Sequence, residues 1–86
     1  MELICAIEGD QGTPVRMWKT VKKVDRKVVE DFVGKWADMF MPRQDFYPNF
    51  TDEDKDEIVN GLLNDGDSWW FDETWCFQIH REQTNL

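Results

Sequence analysis

The spacing of apolar residues along the chain begins near two, lengthens to about 3.6 and returns to two, which reads as strands, then helices, then strands. Over Glu2–Glu8, Leu3, Cys5 and Ile7 fall on one side and Ile4 and Ala6 on the other, as in a largely buried strand. Gly9-Asp10-Gln11-Gly12-Thr13-Pro14 carries turn chemistry, with glycines free to take positive φ and a proline that fixes the re-entry, so a hairpin is expected. The return strand, Val15–Val21, places Val15, Met17 and Val21 on one face and Arg16, Trp18 and Thr20 on the other.

Asp25 then offers a helix N-cap, and Val28, Val29, Phe32, Val33, Trp36, Met39 and Phe40 recur at helical spacing as far as Met41, where Pro42 stops the helix. Phe46, Tyr47, Pro48 and Phe50 make the following loop too apolar for a solvated connector, and it is expected to pack down or to present a contact surface. Thr51-Asp52-Glu53-Asp54 is a capping-box pattern opening a second helix, whose stripe is Ile58, Val59, Leu62 and Leu63 and whose stop is Asn64-Asp65-Gly66.

From Ser68 the spacing is two again. Trp69, Phe71, Trp75, Phe77 and Ile79 alternate with Trp70, Asp72, Thr74, Cys76, Gln78 and His80, and the odd set is expected to face the core. Glu73 interrupts that set, which leaves two readings of Asp72-Glu73, a turn between two short strands, Trp69–Phe71 and Thr74–Arg81, or the interior of one strand; Gln83 to Leu86 reads as a frayed tail. The order is ββααβ, or ββααββ with that turn. This predicts a single α+β domain over residues 1–86, a small antiparallel sheet with two helices packed on one face.

Size sharpens this picture. A chain of 86 residues encloses one core, and five tryptophans are more than such a core easily hides, so at least one is expected at the surface. No apolar run approaches the ~20 residues of a membrane span, and the N-terminus lacks the pattern of an export signal. Cys5 and Cys76 show no framework spacing and read as reduced thiols of a cytoplasmic protein, a single disulfide remaining open for a secreted one.

Catalytic and cofactor patterns are missing. His80 is the sole histidine and has no nucleophile motif around it; Cys76 reads as a small packing residue. Asp52-x-Asp54-x-Asp56 resembles the start of a calcium loop, but Glu57 and Leu63 stand where that loop needs Gly and Glu. Gly9–Gly12 and Gly61–Gly66 form no phosphate-cradling loop. The expectation is a protein that is not an enzyme and needs no metal or cofactor.

Charge supplies the positive signal. The net charge is −8, and it is unevenly placed. Residues 1–43 hold eight cations and seven acids, residues 44–86 two cations and eleven acids. Arg16, Lys19, Lys22, Lys23, Arg26 and Lys27 form a basic patch near Trp18, which reads as a charged edge strand or an internal partner for the acidic half rather than as a nucleic-acid site. In the acidic half, Asp52, Glu53 and Asp54 suit a helix N-terminus. Asp56 and Glu57 do not, because each adds a like-charge pair four residues from Asp52 or Glu53, at about 0.2–0.5 kcal/mol each.

An exposed ridge of Glu53, Asp54 and Glu57 is expected, serving solubility or recognition. Asp52, Glu53, Asp54, Asp56, Glu57, Asp65, Asp67 and Asp72, with Trp70 and Tyr47 as apolar anchors, then make a candidate protein-binding surface. Its partner would have a basic surface, such as a nuclease or a nucleic-acid-binding complex whose phosphate groove the carboxylates occupy. The expected function is inhibition of such an enzyme, of the kind phages and mobile elements direct against host defence. An immunity-like or accessory module relying on the aromatic residues is the alternative.

Overall fold

The computed structural model describes residues 1–9, 15–41 and 50–81. The expected turn at 10–14, the aromatic loop with Phe46, Tyr47 and Pro48, and the tail lie outside them. The elements are β1 (Glu2–Glu8), β2 (Val15–Val21), α1 (Arg26–Phe40), α2 (Asp52–Asn64), β3 (Ser68–Phe71) and β4 (Trp75–His80). The order ββααββ makes a small α+β fold with a single four-stranded antiparallel sheet, β2-β1-β4-β3.

Both helices begin as their sequences predict. The Asp25 carboxylate accepts from the Val28 N–H, and Thr51 and Asp54 form a reciprocal capping box. Their apolar stripes, Val29, Phe32, Val33 and Trp36 on α1 and Ile58, Val59 and Leu62 on α2, close over one face of the sheet, meeting Ile4, Ala6, Trp75, Phe77 and Ile79. Trp36 is the centre of that core. Its ring stands edge-on to Phe50, Phe71, Trp75 and Phe77, with centroids 4.9–6.0 Å away, a geometry that aromatic quadrupoles favour. Trp69 approaches α2 so closely that a methyl on Gly61 would overlap its ring.

The β3–β4 turn forms where Glu73 breaks the alternation. Asp72 and Glu73 both take φ of 56°, and the Thr74 N–H donates to the Phe71 carbonyl at 3.2 Å. Positive φ at both central residues matches the right-handed twist of the flanking strands, at the expense of a left-handed backbone in two residues that have Cβ atoms.

β2 departs from the expected alternation. Ala6 pairs with Met17 but Ile7 with Val15, so Arg16 is the extra residue of a bulge. The bulge carries Arg16 to the helix side, where it pairs with Glu8 and sits 5.4 Å from the centroid of the Phe40 ring. It sends Val15 to the opposite face, beside Ile7 and 40% exposed. The expected placing of Arg16 with Trp18 and of Val15 with Met17 is thereby corrected. Nothing in Val15–Val21 announces a bulge, because Val15, Arg16 and Met17 alternate as an unbroken strand would.

Candidate functional site

The acidic surface is built by α2. Burial of Ile58, Val59 and Leu62 against the sheet fixes the helix rotation, and 100° per residue then turns Glu53, Asp56 and Glu57 together toward solvent. All three are exposed, as is Asp52 beside them. None of the four carboxylates forms an ion pair among the described residues. The one cation in the helix, Lys55, reaches instead toward α1: its Nζ would lie 3.4 Å from a Cβ on Gly34. Asn60 continues the row, exposed and uncharged.

Asp54 has a different role from the one its exposure in a helical projection suggests. Its carboxylate accepts from the Thr51 N–H at 2.9 Å, while the Asp54 N–H donates to the Thr51 hydroxyl at 3.3 Å. It belongs to the helix cap. The ridge is therefore Glu53, Asp56 and Glu57 with Asp52 at its end.

The remaining acids lie at the β3 edge. Asp67 is structural: Arg81 donates to both its carboxylate oxygens, at 3.0 and 3.3 Å, and also reaches Glu2 at 3.0 Å and the Val24 carbonyl at 3.1 Å. The hydrogen bond from Arg81 to Asp67 is the chief reason that the guanidinium pKa is raised further. Glu2 also accepts from the Val24 N–H at 2.7 Å, so one cluster ties β1, the entry to α1 and the end of β4. Asp65 and Asp72 are exposed, Asp72 in the turn.

Trp70 is 47% exposed, at an even position of β3, on the face away from the helices, whereas Trp69 points into the core. The structure thus separates two groups that the sequence suggested as one surface. Asp52, Glu53, Asp56 and Glu57 occupy the helical side, and Trp70 with Asp65 lines a shallow recess at the β3 edge. Tyr47 lies outside the described residues.

The face bearing Trp70 has its own character. Across the strands, Leu3 lies between Thr20 and His80, Cys5 between Trp18 and Gln78, and Ile7 between Val15 and Cys76. Cys5 pairs with Trp18 and Cys76 with Trp70, so each thiol has an indole beside it on the neighbouring strand. Both thiols are free and buried, although the two described helices pack on the other face. Burial pushes the Cys5 thiol up, and Cys76 adds to the shift; the hydrogen bond from the Gln78 backbone opposes it. His80 is exposed, and its Nε2 lies 2.9 Å from the Gln78 side-chain oxygen. Among the described residues there is no cluster of three or more metal-ligating side chains, and no helix is long and apolar enough to cross a membrane.

No family model matches the chain, and neither the curated proteins nor the solved structures contain a match.

Proposed function

We propose that this protein binds and inhibits a nucleic-acid-processing enzyme by presenting the α2 carboxylates to that enzyme's cationic nucleic-acid groove. One observation carries the reading. Glu53, Asp56 and Glu57 stand exposed and, among the described residues, without cationic partners, on a helix whose only lysine reaches the other way. Two i,i+4 pairs, Asp52–Asp56 and Glu53–Glu57, oppose local helix stability. A helix needing acids only for capping would stop at Asp54. The additional carboxylates gain a physical purpose if a basic surface neutralises them, with long-range attraction speeding the encounter. The setting would be the antagonism of host defence by a phage or mobile element.

The test is affinity capture from the native host with wild-type protein and with the triple variant Glu53→Lys, Asp56→Lys, Glu57→Lys, followed by an activity assay on the captured enzyme. Wild type is expected to retain a basic nuclease or guide-RNA complex and to inhibit it, in competition with its nucleic acid. The variant should lose both properties. Undiminished inhibition by the variant would end the proposal.

A further inference from the structure

The sheet face turned away from the helices carries no Asp, Glu, Lys or Arg in its paired rows, although 33% of the chain is charged. Trp18 and Trp70, 64% and 47% exposed, stand on its two edge strands, with half-buried Leu3 and Ile7 between them. Absence of charge together with exposed indoles is the composition of an interface core.

The edges indicate what covers it. Past the end of β2, Lys22 and Lys23 are exposed and form no ion pair among the described residues. Thr20 and His80 share a row, and Ser68 pairs with Gln78 one row along, so the residues preceding Ser68 lie at the Lys22 end of the sheet. There Asp65 is exposed and likewise forms no ion pair among the described residues. One edge is thus basic and the other acidic at the same end of the strands.

We propose that this face binds a second copy of the chain, face to face about a two-fold axis parallel to the strands. Such an axis lays β2 of each copy over β3 of the other. Trp18 then stacks near the second copy's Trp70, and Lys22 and Lys23 meet its Asp65, twice by symmetry. An axis across the strands would stack β2 on β2 and leave Asp65 without a counter-charge. Four strands about 4.8 Å apart and three rows about 7 Å apart give a face of roughly 300–400 Å². That is below the ~800 Å² per partner of a standard interface, so the dimer is concentration-dependent. The proposal is independent of the α2 ridge, which lies on the other side of the molecule.

Sedimentation equilibrium of the full chain from about 1 µM to 1 mM tests it. The expected result is a mass rising from 10.3 kDa toward twice that value. Trp18→Glu, at an exposed site, should weaken association at least tenfold with an unchanged circular dichroism spectrum. Lys22→Glu/Lys23→Glu and Asp65→Lys should each weaken it alone, and an equimolar mixture of the two should associate as wild type does. A monomer throughout the range overturns the proposal. So does a dimer that survives Trp18→Glu, which would point to edge-to-edge pairing of β2, and so does a mixture that fails to recover.

Discussion

At the scale of single residues, close approach and backbone strain identify the sensitive positions. Gly61 is buried in α2 because the Trp69 ring occupies the space where a side chain would begin. Gly61→Ala should lower stability by about 1–3 kcal/mol through overpacking, despite alanine's better helix propensity. Urea unfolding measures this, and a stabilised variant would show that Trp69 can move aside. Glu73 has the opposite expectation. Its φ of 56° is a conformation that glycine adopts freely and a residue with a Cβ adopts at about 1–2 kcal/mol. Glu73→Gly should therefore raise stability by about 1 kcal/mol, seen as a higher urea midpoint with an unchanged slope.

Cys5 adds a pH dependence. Its folded-state pKa lies above the unfolded value because burial disfavours the thiolate. Its contribution to stability is whole below the ordinary thiol range and is lost as pH rises through the raised value. The stability difference between wild type and Cys5→Ala should accordingly shrink as pH rises through and above the ordinary thiol pKa of about 8.5. A difference independent of pH across that range would contradict the assignment.

At the scale of elements, α2 separates acids that stabilise from acids that do not. Thr51→Ala removes the hydroxyl that accepts from the Asp54 N–H and should cost about 1 kcal/mol. Glu57→Gln removes the repulsion with Glu53 and should raise stability by a few tenths of a kcal/mol. Paired urea titrations of the two variants check both signs, and a destabilised Glu57→Gln would assign the ridge a structural role.

This distinction was half legible in the sequence. The capping box, both helix starts and the odd-numbered core positions of the last strands follow from local rules, and the structure has them; of the two readings open at Asp72-Glu73, it has the turn. Asp54 satisfied two readings at once, cap and ridge, and only its hydrogen bonds to Thr51 decide between them. The bulge at Arg16 had no local signature. The burial of Cys5 and Cys76 agrees with reading β1 as a largely buried strand and Cys76 as a packing residue, whereas the placing of β4 beside β1, a pairing between the two ends of the chain, had no local signature.

At the scale of the molecule, the two surfaces lie back to back. The helical side carries the exposed α2 carboxylates and the opposite sheet face carries Trp18 and Trp70, so a face-to-face dimer would present two acidic ridges outward, on opposite sides. Such a pair would engage a partner with two basic grooves more tightly than a monomer does, by effective concentration alone. The separation also gives each surface its own variants. Trp18→Glu should weaken dimerisation at least tenfold while leaving single-site binding to the basic partner intact, and the ridge variants should do the reverse.

The central claim is that Glu53, Asp56 and Glu57 meet a cationic surface, and the salt dependence of binding tests it most directly. For the enzyme captured by wild-type protein, affinity should fall steeply between about 50 and 200 mM salt, because exposed charge pairs are screened over that range. Glu53→Lys, Asp56→Lys, Glu57→Lys should remove both the affinity and the slope. Binding by that variant with wild-type affinity and an unchanged salt slope would contradict the account.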